Sequence, residues 1–301
     1  MPLVVVGTVA LDCVETPSQR RDNLLGGSAV YFAYAASYFT PVRLVSVVGD
    51  DWPDEHTQLL QSRGIDTAGL VVEPGAKSFF WRGKYHEDMN VRETVEVQLN
   101  VFGRFDPELP EAYRRSPFLF LANGSTKIQH KVLDQCPGAT LAVADTMDLW
   151  INTERDELLE LLRRIGGLVL NDSEALLLSG EKNVVRAGRR VLEMGPQFVV
   201  IKKGEHGAMF FSKHETYVLP TYPTPDVVDP TGAGDSFAGG MMGYLAEQGD
   251  FEPKTLKKAM AYGTLTASFT VEDFSLDRFK TVRREDLDER MEAYRRMLDF
   301  C

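Results

Sequence analysis

The chain is built on an alternation of two hydrophobic periods, and that alternation limits the folds open to it. Short apolar runs recur at residues 3–6, 43–48, 118–121, 140–144, 167–170 and 198–202. Between them lie stretches with apolar residues at three- and four-residue spacing, at 29–39, 54–63, 127–135, 154–164, 173–179 and 184–194. A strand apolar along its whole length is buried on both faces. Strands of that kind separated by amphipathic helices predict a mostly parallel sheet with helices on either side. With 301 residues, the chain is long enough for one large α/β domain, residues 1–301, plus an accessory element.

The alternation breaks in two places. Residues 76–104 carry Phe79, Phe80, Trp81 and Tyr85, then alternate apolar and charged positions from Val91 to Val101. Residues 11–25 are similarly irregular and polar. The first pattern predicts antiparallel strands with one wet face, and the two segments together predict a small β lid off the main domain. Toward the C-terminus, 209–211 and 215–219 predict a hairpin, and helices are expected at 236–246, 254–270 and 284–298.

The charge balance narrows the partners. The net charge is −11 and no basic patch is evident, so neither nucleic acid nor an anionic membrane is expected as a partner. No run approaches the length of a membrane span, and the apolar start at 2–7 reads as a first strand rather than a signal peptide. Three cysteines, Cys13, Cys136 and Cys301, lack metal-ligand spacing and fit a reducing cytoplasm.

The most specific chemistry lies in Asp229-Pro230-Thr231-Gly232-Ala233-Gly234-Asp235. A glycine-rich turn entering a helix aims backbone N–H groups at one spot, where the helix dipole adds positive potential. Phosphate oxygens suit that spot. Asp235, on the first helical turn, does not favour an anion. It makes sense there as the acceptor of a proton from a hydroxyl that attacks a phosphoryl group. Read alone, the string is also compatible with a plain turn and a capping aspartate.

The string resembles the signature of the ribokinase-like (PfkB) carbohydrate kinase family, D-T-x-G-A-G-D, with Pro230 where threonine is usual. Other segments follow the family's order. Gly7 to Asp12 resembles its G-(four residues)-D motif, and Gly26-Gly27-Ser-Ala-Val-Tyr31-Phe-Ala33 its G-G-x-x-x-N-x-A motif, with Tyr31 where asparagine is expected. Residues 47–51 and 63–67 resemble two structural segments. Asn171-Asp-Ser-Glu174 resembles the N-x-x-E motif, and Lys202-Lys203-Gly204-Glu-His-Gly207 the segment that borders ATP. Asp145 resembles an aspartate at the same sheet edge.

The resemblance implies a three-layer α/β/α ribokinase-like fold with a β lid at 11–25 and 76–104, and transfer of the ATP γ-phosphoryl group to a hydroxyl. Asp235 is then the catalytic base, with Gly232, Ala233 and Gly234 supplying amides. Asp12, Gly26, Gly27 and Tyr31 are expected at the acceptor. Lys203, Gly204, Gly207 and Thr231 are expected at ATP, with Lys202 or Lys203 adding charge near the phosphates. Asn171 and Glu174 would serve Mg²⁺ through water, although on their own they also fit a capping box. Asp229 would serve a monovalent cation such as K⁺. The small-residue helix ending at 270 would pack beside adenine, or simply in the core.

The acceptor stays open between a sugar, a nucleoside and an inositol. The lid aromatics with Tyr31 favour a flat base, or else form lid core or a dimer contact. A non-catalytic sensor on the same fold is the alternative from another class, and the intact Asp235 argues against it. A dehydrogenase-type dinucleotide site lacks its G-x-G-x-x-G after the first strand.

Overall fold

The computed structural model describes residues 1–299; Cys301, counted above, lies outside the described residues. The strands are β1 (Leu3–Val6), β2 (Ala10–Glu15), β3 (Arg20–Gly26), β4 (Val42–Gly49), β5 (Asp66–Glu73), β6 (Phe79–Tyr85), β7 (Arg92–Gln98), β8 (Phe118–Leu121), β9 (Leu141–Asp145), β10 (Gly167–Asn171), β11 (Phe198–Lys202), β12 (Ala208–Ser212) and β13 (Thr216–Leu219). The helices are α1 (Ser28–Ala36), α2 (Asp54–Ser62), α3 (Thr126–Gln135), α4 (Asp148–Thr153), α5 (Arg155–Leu162), α6 (Asp172–Ser179), α7 (Val184–Leu192), α8 (Ala233–Gln248), α9 (Pro253–Thr270) and α10 (Arg284–Leu298).

Nine strands form one sheet in the order β13-β12-β11-β10-β9-β8-β1-β4-β5. From β11 to β5 all neighbours are parallel; β12 alone runs against them, antiparallel to both β11 and β13. Side chains alternate across a strand, and β1 shows what that does here. Leu3 and Val5 join the core that holds α1, α8, α9 and α10, while Val4 and Val6 join the core that holds α3, α5, α6 and α7. This is the three-layer arrangement expected from the unbroken apolar runs.

Strand order reverses at β1, with β4 on one side and β8 on the other. In open parallel sheets, ligands lie beyond the C-terminal strand ends at such a reversal. Asp145, Asn171 and Lys202 end β9, β10 and β11 at that edge.

Helix α8 is held tightly between α1 and α9 because its glycines remove side chains at the crossings. A Cβ on Gly239 would strike the Phe32 carbonyl, one on Gly243 would meet the Ala36 backbone, and one on Gly240 would strike Thr266. The small residues of α9 therefore serve core packing against α8.

The lid is a four-stranded sheet in the order β3-β2-β6-β7. Within 76–104, β6 and β7 pair antiparallel as expected, and the two segments join through a parallel pair, β2 with β6. One expectation for the lid needs correction: β7 is not half-wet, because all seven of its residues are exposed on this free edge. Two elements had no clear sequence signal. β5 is an edge strand with a single buried residue, Gly69, so it lacks a buried apolar run. α4 has six residues, too few to show a helical period.

Candidate active site

The turn before α8 has the backbone that an anion cradle needs. Gly232 is the N-cap residue at φ 76°, a left-handed conformation costly for any residue with a Cβ. The Ala233 N–H is spent on the Pro230 carbonyl at 3.1 Å, which removes it from the cradle set expected from the sequence. The Gly232 and Gly234 amides have no acceptor among the described residues. Asp235 follows on the first turn, as expected. Burial chiefly, and then the nearby Asp145 carboxylate, push its pKa up to about 7, with Lys202 and Arg92 opposing.

Asp12 lies mid-strand in β2, inside the lid, rather than at the end of β1. It is 4% exposed. Its carboxyl occupies the space where a Gly26 Cβ would stand, and the Gly27 amide donates to it. Gly27, at φ 99°, also has the Thr8 carbonyl where its own Cβ would go. The two glycines thus shape the pocket around Asp12, and the contact they make is with Asp12 itself. Burial, then Asp229, push Asp12 up to about 8, and Asp235 adds to the effect.

Tyr31, on α1, is 1% exposed. Its ring fills the volume beside Gly232, and its buried hydroxyl has no partner. Asp229, Asp12, Tyr85 and Asp235 all act on that hydroxyl electrostatically, so it sits where the lid, Asp12 and the Gly232–Gly234 turn converge. The Thr231 hydroxyl donates to the Tyr85 hydroxyl of β6 at 3.2 Å, so its partner is the lid. Asp229 is fully buried; Oδ1 accepts the Thr231 N–H at 2.9 Å and Oδ2 is unpartnered. Burial raises Asp229 to about 6. An orphaned buried carboxylate oxygen fits a bound cation.

At the other end of the site, Asn171 and Glu174 cap α6 reciprocally. Asn171 Oδ1 accepts the Glu174 N–H at 2.8 Å, and Glu174 Oε2 accepts the Asn171 N–H at 2.7 Å. The capping box is therefore real, and Asn171 Oδ1 also accepts the Ser173 hydroxyl. No cluster of three His, Cys, Asp or Glu side chains able to hold a metal occurs among the described residues. With Asn171 Oδ1 taken up by Ser173 and Glu174, Glu174 would be the residue left to hold a magnesium ion that keeps its waters. Burial, then Asp145, push Glu174 up to about 7.

Lys202 and Lys203 separate clearly. Lys202 sends its ammonium to Asp145 Oδ2 at 3.4 Å, with the two side chains 17% and 6% exposed. Lys203 meets Gly207 through its backbone at 2.7 Å and no charged partner is found for its side chain among the described residues. Gly204 and Gly207, at φ 52° and 82°, turn the chain between β11 and β12. The lid turn reaches this loop, for a Cβ on Gly204 would lie 3.1 Å from Asn90 Oδ1. Two lid residues therefore went unsingled in the sequence. One is Asn90. The other is Arg92, whose charge acts on both Asp235 and Glu174. Neither lies in a motif, and only the fold brings them across. Trp81 packs against the cluster of Val14, Tyr85 and Phe274, on the lid face that carries the Tyr85 hydroxyl toward Thr231.

The family model for pfkB family carbohydrate kinases matches residues 126–280. A cytidine kinase of Thermococcus kodakarensis is 34% identical over 248 residues, covering 80% of this chain and 87% of that protein. The chain belongs to the PfkB family of ribokinase-like carbohydrate and nucleoside kinases, phosphotransferases with a hydroxyl acceptor. Among solved structures, the nucleoside kinase of Burkholderia thailandensis in complex with inosine superposes with a TM-score of 0.81 at 19% identity, over 97% of each chain. A structure assigned as ribokinase II of E. coli, in complex with ATP and Mg²⁺, gives 0.79 at 20% identity over 97% of this chain and 99% of that one. No helix among the described residues is long and apolar enough to cross a membrane.

Proposed function

We propose that this protein transfers the γ-phosphoryl group of Mg-ATP to the primary hydroxyl of a nucleoside. The observation that carries the reading is the convergence of Asp12, Tyr31 and Asp235 on the Gly232–Gly234 turn. An acceptor held there places a hydroxyl between a proton acceptor and a phosphate cradle.

In the reaction, the acceptor oxygen forms a bond to the γ-phosphorus as the bond to the β–γ bridging oxygen breaks. ADP leaves with that electron pair, and Asp235 takes the hydroxyl proton. The Gly232 and Gly234 amides meet the charge on the phosphoryl oxygens. Asp12 accepts hydrogen bonds from acceptor hydroxyls. Glu174 would hold magnesium through water, and the ion would supply charge neutralisation to the phosphates. Asp229 Oδ2 would hold a monovalent cation such as K⁺ behind the cradle.

A nucleoside is favoured over a bare sugar or inositol by Trp81 of the lid, which is partly exposed and offers a flat base an apolar face that a sugar has no group to match, whereas Tyr31 and Tyr85 are buried. The cytidine kinase relative supports the same class. Such a reaction belongs in the cytoplasm. The apolar Val95 and Val97 exposed on β7, with Val91 just before it, support a homodimer through the lid, which sedimentation of the purified chain would check.

The test is ADP release with Mg-ATP against cytidine, inosine, ribose, fructose and myo-inositol, with mass analysis of the product. A nucleoside 5′-phosphate is expected. Turnover of ribose or inositol in preference to every nucleoside would refute the substrate class.

A further inference from the structure

Lys202 is a buried cation with more carboxylates around it than it needs. It ends β11, in register with Asn171 of β10. Its ammonium bonds Asp145 at 3.4 Å, and Glu174 and Asp235 also act on it. Burial alone would pull its pKa down, but the three carboxylates outweigh burial and raise it, so it stays charged. An ammonium has three N–H donors, and the bond to Asp145 uses one.

The position of that ammonium matters more than its charge. A Cβ built on Gly234 would lie 3.0 Å from Lys202 Nζ and 3.6 Å from Cδ and Cε. The Lys202 head group therefore lies against the second glycine of the cradle. A lysine needed only to neutralise Asp145 has no reason to lie against that glycine.

We propose that Lys202 is a catalytic residue that binds a non-bridging oxygen of the phosphoryl group in transfer, and that Asp145 is its positioning residue. This rests on the kinase reading above. As the new O–P bond forms and the β–γ bridge breaks, negative charge on the equatorial oxygens meets a fixed ammonium as well as the two amides. Lys202 exchanges no proton in the step. Asp145, anchored by the Thr146 N–H at 2.8 Å, holds the flexible four-carbon stem in place.

The experiment uses the full chain with Lys202→Met, Lys202→Arg, Asp145→Asn and the Lys202→Met/Asp145→Asn double variant. Lys202→Gln replaces the methionine variant if that one fails to fold. Affinities for ADP and for β,γ-imido-ATP are measured by calorimetry without turnover. Lys202→Met should weaken imido-ATP about 10–100-fold more than ADP, the loss of one charged hydrogen bond. With the best acceptor, kcat should fall about 10²–10³-fold, and Lys202→Arg should recover part of it. The double variant should regain the melting temperature lost in Lys202→Met, since no buried charge is left unpaired, yet stay inactive.

Restored turnover in the double variant would mean that Lys202 only neutralises Asp145, and would overturn the proposal. So would an unchanged preference of Lys202→Met for imido-ATP over ADP. If the unmodified protein turns over no acceptor, the kinase reading fails separately, and the nucleotide preference still decides the place of Lys202.

Discussion

The ring of Tyr31 and the backbone of Gly232 are fitted to each other so closely that no side chain can come between them. A Cβ at Gly232 would overlap the Tyr31 Cγ, Cδ1 and Cδ2 atoms. Gly232 is also left-handed at φ 76°. Gly232→Ala should therefore displace the ring, strain the turn and lower kcat by at least about tenfold, with a cost of roughly 1 kcal/mol or more in folding stability. Tyr31→Phe keeps the ring and should leave stability nearly unchanged. Stopped-flow turnover and thermal melts on both variants check the contrast. An alanine variant with normal kcat would show that the cradle tolerates a shift.

Asp235 is the expected proton acceptor, and Asp235→Asn should lower kcat about 10²–10⁴-fold while nucleotide affinity holds. A variant that retains most of its kcat would remove Asp235 from the mechanism.

The raised pKa of Asp235, about 7, also sets a pH profile. The reactive form is the carboxylate, so kcat/KM should rise as pH increases through about 7 and then level off. Lys202→Met removes an opposing cation and should move that rise to higher pH. Activity that falls with rising pH over the same range would contradict the assignment.

Asp12 couples binding to stability. Its folded pKa, about 8, lies above the value of an exposed aspartate. A carboxyl raised on folding contributes stability that is complete below the unfolded pKa, about 3.9, and is lost as pH rises through the folded value. The ligand-free protein should therefore lose stability from weakly acid pH up to about 8. Asp12→Asn should melt a few degrees higher than the unmodified protein at pH 9, each kcal/mol being worth about 2–4 °C in chains approaching this size. The same change should raise the acceptor KM about tenfold or more and leave the ATP KM unchanged. Calorimetric melts and steady-state kinetics separate the two effects.

Trp81 lies on the lid face that carries Tyr85. Its removal in Trp81→Ala should admit water and raise acceptor-independent ATP hydrolysis, measured as ADP release without acceptor. Hydrolysis unchanged from the unmodified protein would place the ring outside the closed site.

Much of the scaffold was legible because its signals are local. The run 198–201 is apolar for the same reason that β11 is buried between β10 and β12. The glycine turn before α8 announces itself because only glycine fits at Gly232. Elements on the rim were harder to see. β5 is an edge strand, and the parallel join of β2 to β6 links segments far apart in sequence, which no local pattern encodes. In the site, motif spacing found Asp12, Asp229 and Asp235. It could not choose between Lys202 and Lys203, since neighbouring residues on a strand point to opposite faces and only the register shows which enters. Arg92 and Asn90 carry ordinary polar side chains on an exposed lid, and the fold alone aims them at the site.

On the proposed function, the approach of Asn90 to Gly204 would join the cover of the acceptor to the loop beside ATP. Any shift in one is felt as a change in the room left for the other. Calorimetric titration of nucleotide with and without acceptor would expose that linkage, and an Asn90→Ala enzyme should show less of it. Linkage of this kind is symmetric by thermodynamic necessity. Whatever factor the acceptor imposes on nucleotide affinity, the nucleotide must return in equal measure.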